Sequence, residues 1–245
     1  MIARIIAKIN RIIESENKKK LFQKQFELFK QLDVNKRLVT KQKDWYPCLG
    51  DNTLTTGFDA HYIYHPAWAA RIVKQINPSK HVDISSTLHF STILSAFVPV
   101  NFYDYRPALL NLSNLNSDMI DLTQLSFESN SIPSLSCMHT VEHIGLGRYG
   151  DPIDPEGDVK AIKELKRVVK IGGSLLFVTP VGIPRVMFNA HRIYNPYQII
   201  DSFKGFSLQQ FSLITDAGEF IDDASFDLGL NQWYGCGCFW FTKEQ

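Results

Sequence analysis

The sequence predicts an α/β protein with a doubly wound, mostly parallel sheet and a helical N-terminal extension. Three observations support this prediction. Apolar segments of strand length alternate with helical patterns from about residue 65 onward, several of those segments end in an acidic residue or a histidine, and the first 44 residues differ in charge from the rest. The 245 residues suit one domain of ordinary size with an extension, and 44% apolar residues are enough for a substantial core.

Residues 1–44 are predicted to form a basic amphipathic helical extension, and residues 45–245 the main domain. The extension holds 12 Lys and Arg against 5 Asp and Glu, whereas the remainder holds 14 against 20. Apolar side chains recur there at helical spacing, namely Ile2, Ile5, Ile6, Ile9 and Ile13, followed by Phe22, Phe26 and Phe29. Two interpretations stay open: packing against the main domain or a second copy, or lying on an anionic membrane surface.

Composition excludes several classes of protein. The mildly acidic main domain argues against nucleic-acid binding through phosphates. No apolar run reaches the roughly 18 residues that a membrane span needs, and Arg4, Lys8 and Arg11 interrupt the N-terminal apolar stretch, unlike a secretory signal. The four cysteines form no C-x-x-C or zinc-ribbon spacing, so we expect reduced thiols, a cytoplasmic protein (peripheral to the inner face of the membrane under the second interpretation) and no metal ligands.

The main domain alternates helices and strands. Helical patterns cover HPAWAARIVKQI (65–76), HFSTILSAF (89–97) and DVKAIKELKRVV (158–169), and the glycines of KIGGS are predicted to end the last of these. Strands are predicted at HVDIS (81–85), VNFYDY (100–105), SDMIDLT (117–123), SLSCMHT (134–140) and LLFVTP (175–180), with FSLQQFSLI and GCGCFWFT closing the sheet. Cys236 and Cys238 would share one strand face.

Polar residues at strand ends predict one crevice. Asp83, Asp104, Asp121 and His139 stand at or just after the ends of predicted strands. Ligands of such sheets bind beyond the carboxyl ends of the strands. We therefore expect these four side chains to line a common binding site.

Three segments carry a resemblance to a known family. ELKRVVKIGGSLLFVTP (164–180), LTQLSFESNSIPSLSCMHTVEHI (122–144) and HRIYNPYQIIDSF (191–203) resemble segments of class I S-adenosylmethionine-dependent methyltransferases. The resemblance covers roughly residues 65–245 and implies a Rossmann-like fold of that type, S-adenosylmethionine as cofactor and methyltransferase activity. EHIGLGRYGDPIDPEGD also resembles an uncharacterised methyltransferase-like subgroup, several members of which are encoded with surface-polysaccharide enzymes. That association is compatible with a small-molecule acceptor such as a hydroxyl of a sugar or glycan precursor.

The resemblance implies roles for individual residues. Asp104 would accept hydrogen bonds from the ribose hydroxyls, which suits a carboxylate. Asp121 and Leu122 would lie against the adenine, and Met138 and His139 would border the cofactor. For the aspartates, helix capping and turn formation are the structural alternatives.

The family's glycine-rich turn, Asp-x-Gly-x-Gly, is changed in this sequence. The matching stretch is VDISSTLHF (82–90), in which Asp83 is kept but serines and a threonine replace the glycines. A left-handed conformation costs a residue with a side chain about 1–2 kcal/mol. Either cofactor binding is weakened, or Ser85 and Ser86 supply hydroxyl contacts. The alternative function is a catalytically silent methyltransferase-like domain that binds a partner or a glycan.

The sequence HTVEH (139–143) matches the H-x-x-E-H signature of one class of zinc peptidases. Those enzymes need both histidines on one helix face, whereas here a strand-like run precedes the motif and glycines follow it. As part of a methyltransferase, His139 or His143 would be a general base with Glu142 as its partner. The alternative is that Glu142 and His143 only fix the following turn.

Two further stretches predict substrate contacts. FDAHYIYH (58–65) and GRYGD (147–151) are rich in polar and aromatic residues, and irregular loops over a rigid sheet commonly bind substrate. The candidates are Asp59, His61, Tyr64, His65, Arg148 and Tyr149. Tyrosines with acids and histidines suit a polyhydroxylated ligand, and ordinary loop packing is the alternative.

Overall fold

The computed structural model describes residues 2–245, with side chains described from residue 4 onward. It divides into two compact units, one ending at Gly57 and one running from Phe58 to Gln245. Each unit is described by itself. The division at residue 44, made on composition, stays a prediction.

The first unit consists of a long helix and an irregular segment. Helix α1 spans Ile2–Leu32 as one continuous element. Trp45 packs edge-on against Phe22 and Phe26, with ring centroids 5.2 and 4.9 Å away. The predicted phenylalanine stripe therefore has an aromatic partner within its own unit.

The isoleucine stripe of α1 is largely exposed. Ile5 and Ile9 are 52% and 49% exposed, while the side chain of Ile2 lies outside the described residues. Within residues 2–245 no helix combines the length and apolar character that a membrane span requires. Self-association and membrane-surface binding through this stripe both stay predictions.

The second unit contains helices and strands in alternation. Its helices are α2 (Ala60–Ile76), α3 (Leu88–Leu94), α4 (Gly157–Val168), α5 (Pro196–Ser202) and α6 (Phe226–Leu230). Its strands are β1 (His81–Ile84), β2 (Val100–Asp104), β3 (Leu115–Met119), β4 (Ile132–Met138), β5 (Val169–Val181), β6 (Arg185–Met187), β7 (His191–Ile193), β8 (Phe206–Ile214), β9 (Phe220–Ile221) and β10 (Gly235–Lys243).

The main sheet confirms the predicted fold class. In the described residues its strand order is β3-β2-β1-β4-β5-β10-β8-β9. The five strands β3, β2, β1, β4 and β5 pair in parallel in this order, and β10 is antiparallel to both β5 and β8. The order reverses direction between β1 and β4, which is the point where sheets of this kind bind ligands.

Buried side chains cover both faces of this sheet. Along β5, Leu175 and Phe177 belong to one apolar cluster with α4 and α5, whereas Leu176 and Val178 belong to another with α2 and α3. Because neighbouring residues of a strand point to opposite faces, helices lie on both sides of the sheet. Cys236 and Cys238 are both in the second cluster, which confirms that they share a face.

Two predicted boundaries were wrong. Helix α4 ends at Val168, and the glycines of KIGGS lie in β5, because Val169 is already extended and pairs with Ile132. Helix α2 begins at Ala60, so FDAHYIYH supplies its cap and first turns and is not a loop. The Asp59 side chain accepts a hydrogen bond from the backbone N–H of Tyr62, which fixes that start.

Candidate active site at the carboxyl ends of the parallel strands

An open cavity of about 520 Å³ lies beyond the ends of β1 and β4. Among the predicted site residues, Ser85, Ser86, Met138, His139, Glu142, His143, Arg148 and Tyr149 line it. A cavity therefore lies at the strand ends, but of the four side chains expected to share it only His139 lines it.

The loop after β1 contains a left-handed backbone conformation of the kind that favours glycine, although serine stands at that position. Ser85 occupies the first glycine position and has φ +56°, which is in the left-handed region. Ser86 Oγ accepts a hydrogen bond from the backbone N–H of Met138 at 3.1 Å, and Thr87 caps α3 by accepting from Phe90 N–H. Side-chain hydrogen bonds thus hold the loop where glycine would ordinarily make its shape easy.

Replacing Ser85 with glycine is expected to raise the free energy of unfolding by up to about 1 kcal/mol, because the left-handed backbone then carries no Cβ. Urea unfolding followed by circular dichroism measures this change. Ser86→Gly is the matched control, since it removes the bond to Met138 without relieving a positive φ, and should lower stability. Equal destabilisation by both substitutions would contradict the strain at Ser85.

Asp83 lies beneath this loop and is completely buried. Its Oδ1 accepts from Ser136 Oγ and its Oδ2 from Ser91 Oγ, while burial raises the pKa of this carboxyl to about 6. Ser136 also bonds to His81 Nε2 at 2.9 Å. Because Asp83 is completely buried and bonded within the chain, in this structure it supports the base of the loop.

The two other strand-end aspartates form turns. Asp104 Oδ1 accepts from Arg106 N–H at 2.7 Å, and Asp121 Oδ1 accepts from the backbone N–H and the hydroxyl of Thr123. The turn-forming alternative therefore holds for one oxygen of each carboxylate. A ligand role for the other oxygen stays a proposal.

A smaller cavity of about 130 Å³ adjoins the first. Asp121 and Leu122 line it, as the resemblance implies for an adenine site, together with Tyr105. Ser85 and Tyr149 line both cavities and are therefore shared between them.

His139 and Glu142 form a buried pair at the end of β4. His139 has φ +55°, a left-handed conformation that is uncommon for a bulky residue. Its Nδ1–H donates to Glu142 Oε1 at 2.8 Å, and its Nε2 lies 3.3 Å from Cys236 Sγ. Burial raises the pKa of Glu142 to about 7 and lowers the pKa of His139 to about 4, and Glu142 Oε2 has no hydrogen-bond partner within the described chain.

His143 lies beside this pair in a short 3₁₀ turn, Val141–His143. Its Nδ1–H donates to the carbonyl of Ala190 at 2.6 Å, and its Nε2 is 3.8 Å from Glu142 Oε1. Burial lowers the pKa of His143. Because His139 precedes the turn, the two histidines of HTVEH do not share a helix face, which excludes the zinc-peptidase arrangement.

The predicted substrate residues of FDAHYIYH lie apart from the large cavity. Asp59 caps α2, and the Tyr64 ring stacks on Phe220 at 5.5 Å. His65 is buried, with its Nδ1–H donating to the carbonyl of His61 at 2.6 Å. Ordinary packing, the alternative considered for these side chains, describes Asp59, Tyr64 and His65 as they stand.

His61 has a different environment. Its ring stacks at 5.7 Å from His139 and at 5.3 Å from Tyr234. Burial lowers the pKa of His61 to about 4. His61 thus joins the buried histidine cluster behind the cavity.

Sequence reasoning did not single out several residues at the site. His191 and Tyr234 line the large cavity, and Cys236 contacts His139 behind it. Tyr62 also lines the cavity and belongs to the polar and aromatic stretch FDAHYIYH, whereas His191 begins HRIYNPYQIIDSF, which was noted only for its resemblance to the family. Tyr234 and Cys236 come from the far end of the chain, and only sheet pairing brings them to β4 and α2.

A buried arginine anchors the loop that carries Glu142. The Arg192 guanidinium donates to the carbonyls of Ile144 (2.6 Å) and Pro155 (3.2 Å) and lies 3.6 Å from Asp158 Oδ2. The Tyr194 hydroxyl also donates to Asp158 Oδ2, at 2.9 Å. This network, which β7 supplies, fixes residues 142–158 over the sheet.

Comparison with known proteins agrees with this architecture. The family described as "Caenorhabditis protein of unknown function, DUF268" matches residues 117–222. No curated protein matches the sequence significantly.

Solved structures resemble the chain in fold. A protein of Bacillus halodurans C-125 designated a candidate methyltransferase has a TM-score of 0.54 at 13% identity, covering 74% of this chain and 99% of its own. The N-methyltransferase NodS of Bradyrhizobium japonicum WM9, in complex with S-adenosyl-L-homocysteine, has a TM-score of 0.53 at 12% identity, covering 74% and 86%. At these identities the likeness concerns the fold alone. The chain therefore has the Rossmann-like fold of class I S-adenosylmethionine-dependent methyltransferases.

Proposed function

We propose that this protein is an S-adenosylmethionine-dependent methyltransferase that acts on a hydroxyl of a small molecule such as a sugar or glycan precursor. The observation that carries the proposal is the left-handed backbone at Ser85 beside an open cavity. This is the loop shape that lets the backbone approach a nucleotide-like cofactor closely. The residues present therefore fit the cofactor that the fold family uses.

Residues of both cavities, together with Asp104 at the end of β2, would hold the cofactor. Asp104 would accept from the ribose hydroxyls, Asp121 and Leu122 would border the adenine, and Met138 with the loop at Ser85 would border the amino-acid portion. When bound, S-adenosylmethionine supplies an electrophilic methyl group. The contribution of the protein is to align the acceptor with that group, an effect of positioning.

Polar side chains around the larger cavity would hold the acceptor. Arg148, Tyr62, His191 and Tyr234 line it and offer guanidinium, phenol and imidazole groups. The guanidinium donates hydrogen bonds, whereas the phenols and the imidazole can both donate and accept, a combination that suits a ligand with several hydroxyls. The sugar acceptor is proposed on this chemistry.

Glu142 and His143 are the proposed proton acceptors for the hydroxyl. A carboxyl with a pKa near 7 is well matched to general-base catalysis at neutral pH. Both nitrogens of His139 are engaged, by Glu142 and by Cys236. His139 would therefore orient Glu142, and His143 would be the stronger of the two histidine candidates for the base.

The rival function is a methyltransferase-like domain that binds a partner or a glycan without catalysis. The specific observation in its favour is the chain's substitution of the loop glycines by serine and threonine. A serine in the left-handed conformation costs about 1–2 kcal/mol that glycine would not.

Calorimetric titration with S-adenosylhomocysteine tests the proposal. We expect one site per chain, and Asp104→Ala should weaken binding by roughly 10- to 150-fold, because a charge-assisted hydrogen bond contributes about 1.5–3 kcal/mol. Asp201→Ala, which removes an exposed carboxylate on α5, is the charge-matched control and should leave the affinity unchanged.

Two results would count against this assignment. If millimolar cofactor produces no heat of binding and no thermal shift, the result favours the non-catalytic binding domain. If the Asp104→Ala variant binds the cofactor as tightly as the unchanged protein, Asp104 does not hold the ribose.

A further inference from the structure

Three potential metal ligands from distant parts of the chain converge behind the cavity. His61 lies in the first turn of α2, His139 at the end of β4 and Cys236 on β10. One ligand atom of each lies within 4.8 Å of the others, and His139 Nε2 is 3.3 Å from Cys236 Sγ. Two imidazole nitrogens and a thiolate are a donor set that Zn²⁺ prefers.

We infer that His61, His139 and Cys236 form a binding site for Zn²⁺. Zinc–nitrogen and zinc–sulfur bonds are about 2.0–2.3 Å long, so ligand atoms within 4.8 Å of one another need only small movements to share one ion. Three protein ligands leave a fourth position for water or a substrate oxygen, as in catalytic zinc sites. His139 also lines the large cavity, which places the site beside the space for substrate.

The hydrogen bond on the far side of His139 supports this inference. Its Nδ1–H donates to Glu142 Oε1 at 2.8 Å, so the lone pair is on Nε2, the atom that faces Cys236. A carboxylate that orients a histidine in this way is the usual outer partner of a zinc ligand. The left-handed backbone of His139 is a further sign of a functional constraint.

Unpartnered polar atoms around the same cluster provide independent support. In the described chain, His65 Nε2, Glu142 Oε2 and His191 Nε2 are buried without a hydrogen-bond partner. The His65 ring is 5.0 Å from the His139 ring. Each such group costs about 1–3 kcal/mol when it is left unsatisfied. His65 and Glu142 both contact the proposed ligand His139, so two of these unpartnered groups lie directly beside the site.

A bound ion would also assist the proposed methyl transfer. This role rests on the proposed function, whereas metal binding itself does not. A hydroxyl bound at the fourth position would have a lowered pKa. Metal binding itself is measured without cofactor or acceptor, so failure of methyl transfer would leave the metal result intact.

Titration of the chelator-treated full chain with Co²⁺ tests the site. The background is Cys48→Ser, which removes the exposed thiol. We expect one ion per chain, a thiolate-to-cobalt charge-transfer band, displacement by Zn²⁺, and a rise of Tm with Zn²⁺.

Variants identify the ligands. Cys236→Ser should abolish the charge-transfer band, and Glu142→Gln should weaken binding by about 10- to 100-fold. Cys238→Ser is the matched control, because it changes a buried thiol on the same strand whose Sγ is 4.0 Å from that of Cys236, and it should retain the band.

Three results would overturn the inference. They are no bound ion after incubation with excess metal, a band that survives in Cys236→Ser, and an unchanged Co²⁺ affinity in His61→Gln. His61 is only partly buried at the start of a helix, so His61→Gln keeps the test decisive even if Cys236→Ser fails to fold.

Discussion

Replacing Arg192 with alanine is expected to lower the free energy of unfolding by about 3–5 kcal/mol, the usual cost of removing one partner from a buried ion pair. The guanidinium donates to carbonyls of residues 142–155, and its loss removes these bonds together with the cationic partner of the Asp158 carboxylate. Urea denaturation at pH 7 measures the change.

The same substitution should also loosen the loop that carries the site. Arg192 joins β7 to the carbonyl oxygens of Glu142 and Ile144, so backbone amides of residues 143–151 should exchange hydrogen faster in the variant. Lysine at this position keeps the charge but not the planar fork and should recover only part of the stability.

Arg71→Ala is the matched control for Arg192. Arg71 is exposed on α2 and donates to the Ala67 carbonyl of its own helix, so its loss should cost less than about 0.5 kcal/mol. A loss at Arg192 as small as that at Arg71 would show that the buried network does not stabilise the fold.

The second large effect is on the pH dependence of the free energy of unfolding, to which His81 and Asp83 are expected to contribute in opposite directions. Burial lowers the pKa of His81 from 6.5 to about 3, so its contribution to stability is present above pH 6.5 and is lost as the pH falls toward 3. Burial raises the pKa of Asp83 from 3.8 to about 6, so its contribution is lost as the pH rises from about 4 to 6.

Single substitutions should separate the two contributions. Each group changes the slope of stability against pH by about one proton, or roughly 1.4 kcal/mol per pH unit. Between pH 4 and 6, His81→Gln should therefore make stability fall less steeply on acidification, and Asp83→Asn should make it fall more steeply. Urea midpoints at half-unit intervals measure these slopes.

The double variant is the control for this pair. Because Ser136 bonds to both His81 Nε2 and Asp83 Oδ1, an absolute loss of stability is expected in every variant, and only the slopes carry the prediction. The double variant should return to the slope of the unchanged protein. If the unchanged protein and the two single variants have the same slope of stability against pH, neither group has a shifted pKa.

Much of the fold was predictable because local patterns agree with the tertiary structure. DVKAIKELKRVV alternates at helical spacing and forms α4, whereas LLFVTP is apolar throughout and lies in the doubly covered β5. The boundary errors came from residues whose conformation depends on partners. Val169 begins a strand because Ile132 pairs with it, and FDAHYIYH joins α2 because Asp59 caps that helix.

Site residues were predictable only where their place in the site follows from their position near a strand end in the sequence. The predicted residues that border the cavities lie at a strand end or within a few residues of one, and strand ends meet at one edge of a parallel sheet. They are Ser85, Asp121, Leu122, Met138, Glu142 and His143. The positions of Tyr234 and Cys236 could not be predicted in this way. They are about 100 residues away from His139, and antiparallel pairing of β10 with β5 sets their place.

The sequence by itself determined the alternation of strands and helices, the basic character of residues 1–44 and the loss of the loop glycines, because these depend on the identity and spacing of neighbouring residues. The tertiary structure alone decided that Ser85 keeps the left-handed shape, that Asp83 faces Ser91 and Ser136, and that His61, His139 and Cys236 meet. The physical reason is that burial and side-chain contacts depend on which distant segments pack together, and spacing along the chain does not record this.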